Sequence, residues 1–414
     1  MYENIEKPQR AALAAIDTGE YDVEVSIAEL AELTHTAGAE VLVSIVQKRD
    51  APDKASCMGT GRLKELADFC KENEADLVIF DCELSATQIR NIEKIVCVRV
   101  IDRTMLILDI FAMRAISSEG KLQVELAQLR YRLPRLAGLG TELSRLGGGI
   151  GTRGPGETKL ETDRRHIRRR ITSLEQELEE LARKRQDLRR RRKKNGVLTA
   201  AIVGYTNVGK STLLNTLTDA GVLAEDKLFA TLDPTARALK LPDGRTVVLI
   251  DTVGLIRRLP HMLVKAFHST LEEAAGADVI LNVCDITSDE AYTQLEVTKE
   301  LLSELGASDI PILTVCNKCD VQYDELPPPQ NGRVYISAQT GQGLDVLLTE
   351  LAKALKETTR RMAIVLPYTE ASLAAQVRSE GKLLEERYIE DGLFLDAIID
   401  TETRLYRTLA QYEQ

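Results

Sequence analysis

Hydrophobic positions along the chain follow different periods in successive stretches, and each period predicts a different kind of structure. Up to about residue 115, short apolar and β-branched runs at 41–46, 77–80 and 98–101 alternate with helical stretches at 63–72 and 86–95. That alternation predicts a small parallel α/β domain over residues 1–115. From 116 to 195 the period becomes heptad-like. Leu122, Leu126, Leu129, Leu133 and Leu136 recur at spacings of four and three, and Ile167, Ile171, Leu174, Leu178 and Leu181 repeat the pattern before it continues to Leu188. Two such seams separated by a loop predict an antiparallel helical hairpin, with Pro134 kinking or ending its first helix. Residues 196–360 read as strands each followed by a loop and a helix, with an Asp243-Gly244 hairpin turn, which predicts a doubly wound α/β domain. The last stretch, 361–414, reads strand, helix, strand, strand, helix and predicts a small α/β appendage to which the pattern assigns no chemistry.

Charge changes this picture in one place. The 414 residues carry a formal net charge of −10, yet residues 157–194 hold fifteen Lys or Arg against eight Asp or Glu, a local balance of +7. Glu175–Glu180 set against Arg183–Arg185 fits a solvated helix face laced with ion pairs. The six consecutive cations Arg189, Arg190, Arg191, Arg192, Lys193 and Lys194 repel one another unless something neutralises them, and so point to a polyanion such as RNA. The hairpin loop from 138 to 156 contains eight glycines with Arg145 and Arg153 interspersed, and is too long for an economical helix connection. Arg145 and Arg153 are therefore further candidate RNA contacts. No run of 18 apolar residues predicts a membrane span, and the N-terminus lacks the pattern of a signal peptide, so a cytoplasmic monomer is expected. Seven scattered cysteines form no disulfide framework, and Cys316 and Cys319 lack a second pair to complete a zinc site.

The chemistry is concentrated between residues 204 and 339. Gly204, Tyr205, Thr206, Asn207, Val208, Gly209, Lys210 and Ser211, followed by Thr212, form a GxxxxGK[ST] loop between an apolar strand and a helix. Its glycines let backbone approach phosphate oxygens, Lys210 reaches the β- and γ-phosphates, and Ser211 offers a hydroxyl to Mg²⁺. Asp251, Thr252, Val253 and Gly254 then place a carboxylate at a strand tip for the metal's water and a glycine N–H for the γ-phosphate. Phe229, Ala230 and Thr231 lie in a loop between the two motifs, with Thr231 as a further Mg²⁺ ligand and Thr235 read as a turn residue. The base is read by Asn317, Lys318 and Asp320 and by Ser337, Ala338 and Gln339. Asp320 accepts from the ring N–H and amino group of guanine, Asn317 bonds the other edge, Lys318 covers the ring, and the Ala338 N–H donates to the guanine carbonyl. These motifs in this order predict a GTP site, with Lys210, Thr231 and Gly254 in the catalytic machinery.

The same motifs, with GGGIGTRGPGETKLETDRR at 147–165, LFATLDPT at 228–235, DTVGLI at 251–256 and two N-terminal stretches, ADLVIFDCELSATQIRNIE and VIDRTMLILDIFAMRA, resemble the HflX-type ribosome-associated GTPases. The likeness covers nearly the whole chain except about the last fifty residues. It implies a protein that binds the large ribosomal subunit and its RNA, separates stalled or idle ribosomes, and hydrolyses GTP to GDP when ribosome-bound. It also implies ATP handling by the N-terminal region, which these residues neither support nor exclude. Leu255 stands where Ras-type GTPases carry the water-positioning glutamine. Similar GTPases with an apolar residue there recruit another group, or a K⁺ ion held partly by an asparagine that Asn207 matches; a loop-stabilising role for Asn207 fits equally well. Two other functions remain compatible with the motifs. One is an RNA-binding assembly factor that uses GTP as a structural switch, and the other is an RNA-dependent ATPase.

Overall fold

The computed structural model describes residues 8–136, 155–194, 197–218, 228–229, 234–258, 272–355, 359–389, 391–401 and 403–413. Contacts divide the chain into two units. The first joins Met1–Leu181 to two short segments from later in the chain, Lys227–Phe229 and Arg257–Ala266, and the second holds the rest.

In the first unit, β1 (Arg10–Asp17), β2 (Glu40–Lys48), β3 (Leu77–Phe80) and β4 (Arg99–Asp102) form a parallel sheet in the order β2-β1-β3-β4. Its central strand reads RAALAAID, six of its eight residues buried, although alanine is a poor strand former. Burial on both faces decides the matter, because a small side chain leaves room for helices on either side. Those are α1 (Val23–Thr36), α2 (Thr60–Glu72), α3 (Ala86–Val96) and α4 (Arg103–Arg114). Asp22 caps α1 by accepting from the N–H groups of Glu24 and Val25, and Ser85 with Gln88 forms a reciprocal capping box on α3.

The heptad seams meet over part of their length, as far as Leu178; Leu188, expected to continue the second seam, is 52% exposed. Leu126 of α5 (Ser118–Leu136) packs with Ile171 and Leu174 of α6 (Pro155–Lys194), flanked by Leu122, Leu129, Leu133, Ile167 and Leu178. Arg130–Glu175 and Arg170–Glu125, each at 2.7 Å, add cross-helix ion pairs on the exposed rim. Pro134 falls in the last turn of α5, two residues before its end. The glycine-rich stretch with Arg145 and most of its neighbours, Arg153 included, lies outside the described residues.

The second unit is built on a six-stranded sheet in the order β10-β9-β8-β5-β7-β6. Its strands are β5 (Leu198–Gly204), β6 (Thr235–Lys240), β7 (Thr246–Asp251), β8 (Val279–Asp285), β9 (Ile312–Asn317) and β10 (Arg333–Tyr335). All neighbours are parallel except β6 and β7, the expected hairpin pair. Helices α7 (Lys210–Thr218), α8 (Ala291–Glu304) and α9 (Leu344–Ala354) complete the doubly wound layer. The C-terminal stretch has its own core, in which Met362, Leu395 and Val377 join a three-stranded antiparallel sheet to its helices. Its strands are β11 (Thr359–Leu366), β12 (Lys382–Ile389) and β13 (Gly392–Asp400), and its helices α10 (Ala371–Glu380) and α11 (Arg404–Leu409). Among the described residues, no helix is long and apolar enough to cross a membrane.

Leu174 is fully buried in the hairpin seam. Leu174→Ala is expected to destabilise that seam by about 2–5 kcal/mol, read by hydrogen exchange as lost amide protection along α5 and the facing part of α6, with GTP affinity unchanged. Full retention of protection contradicts the seam.

Candidate nucleotide site

The phosphate loop leaves the C-terminal end of β5, a strand buried along its whole length. Two of its glycines are required by geometry. Gly204 has φ 147°, and a Cβ there would lie 2.2 Å from the Val283 carbonyl oxygen; Gly209 has φ 91°, and its Cβ would lie 2.3 Å from Asn317 Nδ2. The loop then feeds α7, whose first residue is Lys210. Lys210 is buried and its Nζ donates to the Tyr205 carbonyl at 2.6 Å. Burial pulls its pKa down to about 8, opposed in part by the charge of Asp251. A buried ammonium whose partner among the described residues is a carbonyl is poised for an anion, and triphosphate oxygens supply one.

Ser211 Oγ donates to Asp251 Oδ2 at 2.8 Å. This pair of hard oxygens fits Mg²⁺, with Ser211 as the direct ligand and Asp251 holding a metal-bound water, and the ion would supply charge neutralisation to the phosphates. Asp251 ends β7 and is fully buried, and Thr252 beside it donates its hydroxyl to the Ile202 carbonyl at 2.8 Å. Gly254 lies so close to Thr206 that a Cβ would come within 2.9 Å of the Thr206 Cα. That contact keeps the γ-phosphate turn against the phosphate loop.

Leu255 is tied down on both sides. Its N–H donates to Gly204 O at 3.0 Å, its carbonyl accepts from Thr206 N–H at 2.8 Å, and its side chain packs in the core with Tyr205 and Val208. The side chain at this position therefore points to the core and holds no water. Asn207 lies exposed on the phosphate loop, with φ 61°.

Asn317, at the end of β9, does more than the base-edge contact expected of it. Its Nδ2 donates to Val208 O at 2.8 Å and its Oδ1 accepts from Ala338 N–H at 2.9 Å. One carboxamide thus joins the phosphate loop to the second base loop, and it holds the very N–H expected to reach the guanine carbonyl. Lys318, with φ 64°, forms an ion pair with Asp285 at 2.7 Å, a partner that sequence reasoning missed although Asp285 ends a strand. Asp320 is exposed, with its carboxylate available to a base, as is Gln339. Ser337 is fully buried and accepts from Thr340 N–H at 3.1 Å, so it shapes its loop. Thr216 of α7, also unforeseen, donates to Ala338 O at 2.7 Å.

Two of the expected contact residues have partners within the protein. The Phe229 ring is buried edge-on against Phe111, both in the first unit, centroids 4.6 Å apart, so the ring packs within the protein. In the basic run, Arg189 donates to Glu273 at 2.8 and 3.1 Å, and Arg192 lies 3.9 Å from the same carboxylate. Arg189 is thus paired within the protein by a glutamate 84 positions away, and Arg192 shares that carboxylate at longer range, while Arg190 and Arg191 are exposed. The side chains of Lys193 and Lys194, together with Ala230, Thr231, Arg145 and Arg153, lie outside the described residues.

A phosphate loop at the tip of the central strand, a carboxylate and glycine at the tip of its neighbour, and two base loops on the following strands define a P-loop GTPase. The family models agree, matching a GTP-binding GTPase N-terminal region at residues 24–112, a GTP-binding GTPase middle region at 114–192 and a "50S ribosome-binding GTPase" domain at 199–318. The GTPase HflX of Caldanaerobacter subterraneus is 52% identical over 98% of this chain and 94% of its own length, and that of Escherichia coli is 43% identical over 95% and 93%. A GTP-binding protein of Sulfolobus solfataricus, solved with GDP, is 27% identical over 84% of this chain and 98% of its own, with a TM-score of 0.45. The chain belongs to the HflX family of GTPases and is a GTP phosphohydrolase.

Two outcomes follow from this geometry. Phosphates raise the lowered pKa of Lys210, so above pH 8 GTP binding must take up a proton, and affinity falls between pH 8 and 9 by up to about tenfold per unit. A titration with a fluorescent GTP analogue that stays flat from pH 7 to 9 would contradict this. Asp320→Asn is expected to weaken GTP by about two to four powers of ten, since two charged hydrogen bonds are lost, and to gain xanthosine triphosphate, whose carbonyl accepts from the new amide. Unchanged GTP affinity would remove Asp320 from base recognition.

Proposed function

We propose that this GTPase turns over slowly alone and rapidly on the large ribosomal subunit, contacting ribosomal RNA through its basic hairpin and acting in ribosome splitting and rescue. The observation that carries the reading is Leu255, bound through its backbone and packed in the core. Where an internal glutamine orients water in other GTPases, this site has nothing on that side chain to offer, so the positioning group comes from the partner or from K⁺ held beside Asn207. The match to a family described as 50S ribosome-binding supports the choice of partner. For the RNA contact, exposed Arg190 and Arg191 take precedence over Arg189 and Arg192, and Arg145 and Arg153 remain further candidate contacts. Mg²⁺ is held by Ser211, Thr231 and, through water, Asp251; Lys210, Thr231, Gly254 and Asn207 act on the γ-phosphate and its attacking water.

The test is multiple-turnover phosphate release with and without separated large subunits, with GTP and ATP in parallel and with K⁺ or Na⁺. Subunits are expected to accelerate GTP hydrolysis on the order of a thousandfold, the scale at which supplied groups act in this class. ATP turnover should stay at background, and Arg190→Glu with Arg191→Glu should lose the stimulation while keeping GTP affinity. If the free protein already turns over at tens per second, Leu255 is not limiting and the reading fails.

A further inference from the structure

The N-terminal sheet has a topological switch point that the nucleotide chemistry does not use. Its order β2-β1-β3-β4 means that the chain steps from β1 outward to β2 and then returns across β1 to β3. The topology therefore reverses between β1 and β3, and parallel sheets take ligands outside the carboxyl ends of the strands at such a point. Here that place is formed by Tyr21 between β1 and α1, Ser26 and Glu29 on α1, Asp81 directly after β3 and Arg103 at the start of α4.

Among the described residues, Asp81, Glu29 and Arg103 do not balance in charge by themselves. Asp81 is 0% and Glu29 15% exposed, and the cation between them is Arg103, itself 3% exposed. Arg103 Nη1 lies 2.7 Å from Asp81 Oδ1 and Nη2 lies 3.1 Å from Glu29 Oε2. Two carboxylates against one guanidinium leave a negative charge in a buried place, which is costly unless a second cation arrives. Arg258 supplies it. Its Nη1 donates to Asp81 Oδ2 at 3.1 Å and to Ser26 Oγ at 3.2 Å, and its guanidinium carbon lies 4.0 Å above the Tyr21 ring. The preceding backbone is also held, since Arg257 N–H donates to Glu29 at 3.4 Å and Arg103 donates to Arg257 O at 3.3 Å.

These contacts are specific in kind. Arg258 keeps its guanidinium carbon over the ring while its Nη1 meets a carboxylate and a hydroxyl, which uses a cation whose charge is spread over several atoms; an ammonium places its charge and its donors on one atom. We propose that this switch point is a receptor for a guanidinium group, filled here by Arg258 from later in the chain, and that it accepts an arginine side chain supplied in trans when residue 258 is withdrawn. The sign of its charge also makes it a poor place for phosphate.

The test uses full-length protein with ¹³C-labelled tyrosine rings, the Tyr21 signal assigned through Tyr21→Phe, and ethylguanidinium as the probe. Arg258→Ala is expected to shift the Tyr21 signal, and millimolar ethylguanidinium to return it toward the wild-type position, while the wild type does not respond and ethylammonium restores nothing. Adding Asp81→Asn should weaken the rescue about tenfold or more, as expected for loss of a charged hydrogen bond. If that variant does not fold, Ser26→Ala in the Arg258→Ala background removes one acceptor, leaves the buried charge in place, and should still weaken the rescue. The proposal is overturned if Tyr21 is unchanged in Arg258→Ala, if wild type and variant respond equally, if ethylammonium works as well, or if neither second substitution weakens the rescue.

Discussion

The carboxamide of Asn317 holds the nucleotide site together. It is buried at the tip of β9 and spends its Nδ2 on the Val208 carbonyl and its Oδ1 on the Ala338 N–H. Three separate stretches of chain, the phosphate loop and the two base loops, thereby share one rigid joint. The tightness of that joint explains Gly209, because any side chain there would collide with the amide nitrogen that makes it. A site braced in this way has its shape before nucleotide arrives, and pre-organisation reduces the ordering cost that binding must overcome.

The protein handles charge in contrasting ways. Lys210 is left with the Tyr205 carbonyl and a lowered pKa, so the triphosphate meets a cation whose environment improves on binding. Asp81 instead has its charge met within the protein, by Arg103, Arg258 and the Ser26 hydroxyl. Arg189 likewise has Glu273. A buried cation held by a neutral group recruits an anion, whereas one already paired is structural or must exchange partners to act. By this criterion the loop lysine is available to an anion, and the exposed Arg190 and Arg191 are less committed than Arg189.

Legibility from sequence followed the distance over which each feature is determined. The phosphate loop and the DTVG turn are short, and each demands particular residues at fixed spacing, so their strand-loop-helix setting was readable. The hairpin was readable too, because a heptad seam repeats its own signal. β1 was not, since an alanine-rich run carries no strand preference and is a strand only through burial on both faces. The brace made by Asn317 was hidden beneath its motif role, its partners lying 109 and 21 positions away. Arg189 reads as a free cation until the fold brings up Glu273, and the cluster at Asp81 joins residues 55, 22 and 177 positions distant. No local pattern encodes such pairings.

The most direct test of the brace separates its effect on phosphate from its effect on base. Binding of GTP, and of Mg²⁺-tripolyphosphate by competition, should be measured for wild type and Asn317→Ala. If Asn317 shapes the phosphate loop, the variant loses affinity for tripolyphosphate as well as for GTP, although tripolyphosphate has no base to contact. A loss confined to GTP, with tripolyphosphate bound as in the wild type, would show that Asn317 acts on the base alone and that the phosphate loop stands without it.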